Sequence, residues 1–186
     1  MLGIIPHTVD QYLRGRVSSE VRKSIFRQAG FLEEQRFRLD TEYSDETCRA
    51  LIDAIALETK TTTESVFQEI AEFFIDWAEH HFSGFFAAAP DTRSFLMLQP
   101  NIHNSLACGL RSRDRQKVAD KFRVEELPDG VRMHYRSSNR LGYFYCALAR
   151  CLAARRGEVA ETSFVEGDPG APTAIIEVKL RPAREP

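Results

Sequence analysis

Hydrogen-bonding side chains are concentrated in the segment MHYRSSNRLG, residues 133–142. Side chains on a strand alternate between two faces, so Tyr135 and Ser137 point the same way, with Asn139 and Arg140 directly after them. Such a row of donors suits a ligand with two carboxylates, because hydrogen bonds to ionised acceptors are the stronger kind. The simpler interpretation of this segment alone is a polar strand end that caps the next helix.

His103 is the second residue whose type and surroundings could do chemistry. Leu106 and Ala107 follow it by three and four positions on a predicted helix, and both are apolar, so we expect the imidazole to face the interior. A neutral imidazole can bind a metal through one ring nitrogen while the other donates a hydrogen bond. Taken alone, a single helical histidine is more commonly a core or surface residue.

The other reactive side chains do not form a recognisable site in the sequence. His80 and His81 are consecutive on a predicted helix and point apart, which favours a solvated helix end. The four cysteines lack CxxC spacing, and we expect reduced thiols. Cys108 and His103 are poorly placed on their helix for a nucleophile–base pair, so we do not predict an enzyme.

Composition and charge exclude several classes of function. The chain is 43% hydrophobic and 28% charged, as is ordinary for globular proteins, and its net charge of −2 does not favour nucleic-acid binding. No apolar run is long enough to span a membrane. The start, MLGIIPHTVDQYLRGR, lacks the basic region of a signal peptide. We therefore expect a cytoplasmic protein that binds neither nucleic acid nor membrane.

Helical periodicity dominates the first two-thirds of the chain. Helices are predicted over Ile4 to Leu13, from Ser18 or Ser19 to Gly30, from Asp45 to Lys60, and through TTTESVFQEIAEFFIDWAEHHF, where Thr61 and Glu64 form a capping box. GFFAAAPD is a predicted break. DTRSFLMLQ resumes a helix, and Pro100 is expected to begin the helix that carries His103.

After Arg115 the periodicity changes to that of strands. KFRVEEL and VRMHYRS flank the turn PDG, Leu141 to Arg155 is helical, and ETSFVEG and TAIIEVKL form a second hairpin around GDPGAP. On the second strand Val131, Met133, Tyr135 and Ser137 share one face. Helices followed by two hairpins predict an α+β fold with a four-stranded antiparallel sheet.

Three stretches of the sequence occur in the same order in one known family. They are MLGIIPHTVDQYL, the helix of His103 after FLMLQPN, and HYRSS at the end of the second predicted strand. On these stretches the chain resembles the haem nitric-oxide/oxygen-binding (H-NOX) domains, which are related to the sensor domain of soluble guanylate cyclase. The resemblance covers nearly the whole chain and implies a single domain, residues 1–186, with a helical distal lobe (1–60) packed on an α/β proximal lobe (61–186) and haem between them.

The resemblance also implies roles for the residues named first. A histidine on a helix binds the haem iron in that family, and a Tyr-x-Ser-x-Arg motif holds the propionates. Carried over, His103 becomes the iron ligand with Leu106 beside the haem, and Tyr135 and Ser137 become propionate anchors. This sequence has Asn139 where the motif has arginine, with Arg140 one residue later, and either could complete the anchor. Loss of a charged donor would weaken anchoring by about 1.5–3 kcal/mol.

Two further departures concern the surroundings of the haem. Family members have a proline packed on the proximal side of the porphyrin, and the corresponding region here, RQKVADKF, has none. We therefore expect a flatter haem, although Ile5, the other distorting contact of the family, is present. Ala71 replaces a hinge glycine on the long helix and is expected to damp motion between the lobes, because alanine has a narrower backbone range.

The gas-binding side of the haem is implied to be apolar, lined by Ile5, Val9, Phe74, Ala78 and Leu148. Oxygen-binding members place a tyrosine on the helix after the propionate motif. Counting from Tyr135 puts Phe144 at that position, which we favour and which implies a nitric-oxide sensor. A one-residue insertion at Arg140 would put Tyr145 there instead, and would imply O2 binding.

The function implied by the resemblance is a haem-based sensor of NO, CO or O2. The sequence has no CxxCH motif, so haem b is expected to be held noncovalently. NO is expected to weaken the bond to His103, and a histidine kinase or a cyclic-dinucleotide enzyme in trans is expected to respond, as in bacterial signal transduction. The alternative is a haem-free module of the same fold, used as an interaction scaffold or a pocket for a lipophilic ligand.

Overall fold

The computed structural model describes residues 3–106 and 121–183. Its helices are α1 (Ile4–Arg16), α2 (Ser19–Gln28), α3 (Asp45–Thr59), α4 (Thr63–His81), α5 (Ser83–Ala88), α6 (Thr92–Leu106) and α7 (Gly142–Arg155). Its strands are β1 (Phe122–Leu127), β2 (Gly130–Arg136), β3 (Glu158–Glu166) and β4 (Thr173–Pro182). The predicted α+β class with a four-stranded antiparallel sheet is confirmed.

The chain forms two compact units, one up to Phe74 and the other from Ile75 on. The lobe boundary predicted at residue 60 stays a prediction. The first unit has a helical core in which α1, α2 and α3 contribute fully buried apolar side chains at helical spacing, namely Val9, Leu13, Ile25, Phe26, Leu51, Ile52 and Ile55. The predicted cap of α2 is confirmed, because the Ser18 hydroxyl accepts the N–H of Val21 at 3.3 Å.

The start of α1, which carries Ile5 and Val9, depends on a close approach of two backbone segments. The N–H of Gly3 donates to the carbonyl of Thr41 at 2.9 Å. A Cβ at Gly3 would lie 1.8 Å from the carbonyl oxygen of Arg38, so only glycine fits there.

A buried ion pair fixes the loop that follows α2. Arg22 Nε donates to Asp10 Oδ1 at 2.7 Å, and the other two guanidinium nitrogens donate to the carbonyls of Glu33 and Gln35 at 2.9 and 3.2 Å. The guanidinium carbon also lies 4.0 Å from the ring centroid of Phe26. Breaking such a pair leaves an uncompensated charge and costs about 3–5 kcal/mol, so it holds α1, α2 and the loop in one arrangement.

The second unit contains the sheet, with strand order β1-β2-β4-β3 and every neighbouring pair antiparallel. α7 packs against one face, where Val131, Met133 and Tyr135 of β2 are buried. The shared face predicted for β2 is therefore confirmed for these three residues, whereas Ser137, predicted on the same strand, lies just beyond the end of β2 at Arg136. The opposite face is more polar and carries ion pairs such as Arg132–Glu177, with a nitrogen–oxygen distance of 2.6 Å.

α6 is one continuous helix, and the prediction that Pro100 begins a separate helix is wrong. A proline inside a helix lacks the N–H that would bond to the preceding turn, which costs about 3 kcal/mol. Phe95 and Leu96 before the proline and Ile102 after it are buried, and each large buried side chain contributes about 1.5–3 kcal/mol, which offsets that loss. His103 consequently lies in the last turn of a 15-residue helix.

Two predicted features near α4 and α5 also differ from the structure. The cap of α4 is Thr62 and not Thr61, because the Thr62 hydroxyl accepts the N–H of Ser65 at 3.1 Å, three residues on. The predicted break at GFFAAAPD is wrong, because most of this segment forms α5. Alanine has the highest helix propensity, and the ring of Phe86 packs on that of Phe95 with centroids 4.7 Å apart.

Candidate functional site

His103 lies near the end of α6 and stacks on an aromatic ring of the neighbouring strand. The imidazole and the ring of Phe122 have centroids 4.3 Å apart and planes inclined by 32°. Loss of solvation lowers the pKa of His103 to about 4, and the positive charge of Lys121 acts in the same direction. The imidazole is therefore neutral near pH 7, which is the form that binds metals.

The predicted row of polar side chains at the end of β2 is brought together in a buried turn. Tyr135, Ser137 and Asn139 are 3%, 6% and 8% exposed. The Tyr135 hydroxyl donates to Asn139 Oδ1 and accepts the N–H of Leu141 at 2.9 Å. Ser137 Oγ accepts the N–H of Asn139 at 3.4 Å, and the backbone N–H of Ser137 donates to the carbonyl of Pro172 at 2.7 Å.

Arg140 adopts the left-handed backbone conformation, with φ of 55°. Its N–H donates to the carbonyl of Ser137 at 3.3 Å, which closes a tight turn between β2 and α7. The side chain is exposed, and its guanidinium has no partner among residues 3–106 and 121–183. Asn139 is therefore the interior member of the pair and Arg140 the solvent-facing one.

The turn and His103 together fit a ligand that has a metal and two carboxylates. Asn139 accepts with its Oδ1, so its amide N–H groups are left to donate elsewhere. Ser137 offers a hydroxyl, and Arg140 offers a charged guanidinium at the exposed side of the same turn. The ring of Phe122 lies between the imidazole and the turn, with its centroid 5.7 Å from that of Tyr135.

Phe144 and Tyr145, the two alternatives for the gas-side position, are both buried on α7, at 3% and 7% exposed. Tyr145 packs in the apolar cluster between α7 and the sheet, together with Leu96 and Met133. Its hydroxyl has no hydrogen-bond partner among the described residues. Burial raises its pKa, so the phenol stays protonated and able to donate.

The remaining predicted contacts of the haem are apolar and at least half-buried. In the first unit Ile5 and Phe74 are half-buried and Val9 is fully buried. The second unit contributes Ala78 on α4, Leu106 at the end of α6 and Leu148 on α7, and the hinge position Ala71 is fully buried in the first unit. The roles of the first six in binding haem, and of Ala71 in damping motion between the lobes, stay predictions.

Some predictions fall outside the described residues. These include Ala107, Cys108 and all of RQKVADKF except Lys121 and Phe122. The three other cysteines, Cys48, Cys146 and Cys151, are buried.

The sequence interpretation missed the contact of Phe122 with His103. Alternation along β1 puts Phe122 on the same face as its cross-strand partner Tyr135, and that signal could have placed its ring beside the polar turn. Its contact with a helix residue 19 positions earlier is not readable from either pattern.

Among the described residues, the consecutive histidines at the end of α4 do not form a metal site. His81 stacks on Trp77 with ring centroids 4.3 Å apart. Within residues 3–106 and 121–183, no three His, Cys, Asp or Glu side chains are grouped so that they could hold a metal ion. None of the helices in these ranges has the length and apolar character needed to cross a bilayer.

Comparison with known proteins identifies the family. A family model described as haem-NO-binding matches residues 2–158. The chain therefore belongs to the haem-NO-binding family, and the resemblance found in the sequence is confirmed. H-NOX domains are haem-based gas sensors and not catalysts. None of the curated proteins matches the chain.

Three solved structures illustrate the similarity of fold. An oxygen-binding H-NOX domain related to soluble guanylate cyclases, in its oxygen complex, has a TM-score of 0.75 and 18% identity, covering 100% of this chain and 98% of that one. The A71G mutant of an Fe(II) unliganded H-NOX protein from K. algicida has a TM-score of 0.76 and 18% identity, covering 97% of each chain. The I5F mutant of the T. tengcongensis H-NOX has a TM-score of 0.78 and 17% identity, covering 100% of this chain and 99% of that one.

Proposed function

We propose that the protein is a haem-based gas sensor that holds one haem b noncovalently, with His103 as the protein ligand of the iron. The observation that carries this proposal is the neutral, ring-stacked imidazole of His103 in the same unit as the Tyr135–Ser137–Asn139 turn. Family membership supports haem as the group that such a pair of features would hold.

Each part of the site has a separate task in this proposal. Haem, when bound, supplies an iron with an open position at which a diatomic gas binds. His103 offers a nitrogen lone pair that protons do not compete for near pH 7. Ser137, Asn139 and Arg140 would donate to the propionates, and Tyr135 would act in the same anchor by holding Asn139 through its hydroxyl. The apolar residues Ile5, Val9, Phe74, Ala78, Leu106 and Leu148 would exclude water.

We expect the proposed sensor to bind NO and CO, because neither gas needs a hydrogen-bond donor in the pocket. O2 does need one, and the hydroxyl of Tyr145 is the donor that the second unit offers. A buried hydroxyl without a partner costs about 1–3 kcal/mol and so calls for an explanation, and a bound ligand is one. Arg140 has a left-handed backbone conformation, which is consistent with an extra residue in the turn. A one-residue insertion there would place Tyr145, and not Phe144, at the position of the family's tyrosine.

The proposed output is a change in affinity for a separate effector protein in the bacterial cytoplasm, either a histidine kinase or a cyclic-dinucleotide enzyme. A ligand shifts a partner's binding only if the partner binds the two states with different affinity. Binding of the purified effector to the gas-free and NO-bound forms is the measurement that checks this output.

The alternative, a haem-free scaffold of the same fold, has one observation in its favour. The Tyr135 hydroxyl donates a hydrogen bond to Asn139 Oδ1, so the turn is closed without any ligand. A scaffold or lipophilic pocket would need nothing more from these residues.

An absorption spectrum of the ferrous protein, purified after expression with haem supplied, separates the two functions. A sensor is expected to show a Soret band that moves when NO or CO is added, and a stable spectrum in air if Tyr145 serves O2. A protein without a Soret band under these conditions would be the scaffold.

A further inference from the structure

We infer that Phe122 is a positioning residue for His103, because its ring packs on the imidazole and fixes the plane of that ring. The ring of Phe122 also contacts Tyr135, which belongs to the turn with Ser137 and Asn139. This inference rests on the proposed function, since the orientation of His103 matters most when it binds iron.

The ring of Phe122 lies between two residues of the proposed site. Its centroid is 4.3 Å from the imidazole of His103, with the planes inclined by 32°, and 5.7 Å from the ring of Tyr135, with the planes inclined by 57°. These distances lie at or near the range in which aromatic pairs attract each other. The three rings therefore form a continuous path from the proposed iron ligand to the hydroxyl that donates to Asn139.

The backbone of Phe122 is held firmly by the sheet. Phe122 is the first residue of β1 and pairs in register with Tyr135 of β2. Next to this pair, the N–H of Arg136 donates to the carbonyl of Lys121 at 2.9 Å. The phenyl ring thus stands on a paired strand, and the imidazole stands on the last turn of α6.

A fixed ring beside a histidine has two consequences. The torsion that turns an imidazole about its Cβ–Cγ bond has a broad, soft profile, so a neighbouring ring at 4.3 Å selects among its orientations. In addition, the imidazole cannot move towards β1 without moving Phe122, which abuts Tyr135. A displacement of His103 towards β1 would therefore press on Phe122 and through it on Tyr135, whose hydroxyl donates to Asn139.

The chain offers a matched control in Phe164 on β3. Phe122 and Phe164 are both half-buried and both pack against the same apolar cluster. The ring of Phe164 neighbours that of Tyr143, with centroids 6.4 Å apart, and is not among the rings that stack on His103. Phe122→Leu and Phe164→Leu each replace a ring by an apolar side chain, so their difference isolates the contact with His103.

The first arm of the test uses the haem-free protein and NMR. The carbon-bound protons of the His103 imidazole are expected to be shifted upfield by the ring current of Phe122, and to lose that shift in Phe122→Leu but not in Phe164→Leu. An imidazole whose shifts in the folded wild-type protein match those of the unfolded chain would overturn the inference, and this result needs no variant to fold.

The second arm uses the ferrous haem-loaded protein and resonance Raman spectroscopy. Phe122→Leu is expected to move the iron–histidine stretching band and to speed haem loss by about 2- to 10-fold, the range given by the loss of one aromatic contact. Phe164→Leu is expected to change neither. An unmoved band in Phe122→Leu overturns the inference and leaves the sensor proposal standing, whereas a wild-type protein without any iron–histidine band overturns the sensor proposal itself.

Discussion

Tyr135 and Tyr145 lie ten residues apart in the second unit and are equally well buried, yet their hydroxyl groups are in opposite situations. Tyr135 donates to Asn139 and accepts the N–H of Leu141. Tyr145 has no hydrogen-bond partner in the described part of the chain. Buried polar groups in folded proteins are nearly always paired, so a satisfied hydroxyl belongs to the fold and an unsatisfied one marks a place where a ligand or a water is needed.

The largest effect is expected when the satisfied hydroxyl is removed. Tyr135→Phe leaves Asn139 Oδ1 and the N–H of Leu141 buried without their partner. At about 1–3 kcal/mol for each such group, the free energy of unfolding of the haem-free protein should fall by about 2–6 kcal/mol in urea titrations. An unchanged free energy of unfolding would mean that the turn is not the hydrogen-bonded unit described above.

The imidazole of His103 is a third polar group in the second unit, and unlike the two hydroxyl groups it gains a proton within the pH range of the experiment. Its pKa in the folded protein is about 4, below its ordinary value of 6.5, so the unfolded chain takes up the proton first as pH falls. The stability due to the neutral imidazole is complete above pH 6.5 and is lost as pH falls towards 4, by at most about 3 kcal/mol.

Urea titrations of the haem-free wild type and of His103→Asn, from neutral pH to about pH 4, check this dependence. As pH falls, the free energy of unfolding should decrease more in the wild type than in His103→Asn, because only the wild type has this buried imidazole. The other histidines are common to both proteins, so their titration does not affect the difference. A difference that is independent of pH would show that His103 is not desolvated.

Removal of the unsatisfied hydroxyl is expected to act in the opposite direction from removal of the satisfied one. Tyr145→Phe takes an unpaired polar group out of the interior and should raise the free energy of unfolding of the haem-free protein by about 1–2 kcal/mol. In the haem-loaded protein the same variant should lose any stable spectrum in air while still binding NO. A destabilised Tyr145→Phe would reveal a partner for the hydroxyl.

The smallest effect concerns the turn between the two tyrosines. Arg140 has a φ of 55°, a conformation that costs a residue with a side chain about 1 kcal/mol and costs glycine far less. Arg140→Gly should therefore stabilise the haem-free protein by about 1 kcal/mol or slightly less. Arg140→Ala removes the charge but keeps the cost of the left-handed backbone conformation, so its stability should be nearly that of the wild type. Thermal unfolding of both variants checks this.

The parts of the molecule that could be predicted from sequence are those with a strong local pattern. Long apolar periodicity predicted α4, and strict alternation predicted the buried face of β2 with Met133 and Tyr135. The continuous α6 could not be predicted, because the local cost of Pro100 is offset by the burial of residues far from it in sequence. The separate roles of Asn139 and Arg140 depend on one backbone angle, which neither residue type specifies.

The central claim is that the imidazole of His103 binds the iron of a haem, and replacement of that imidazole tests it most directly. His103→Gly should fold, as judged by circular dichroism, and should lack the Soret band of the wild-type ferrous protein. Free imidazole added to His103→Gly together with haem should restore the band, and NO should then shift it as in the wild type. A variant that keeps the wild-type spectrum without added imidazole would contradict the claim.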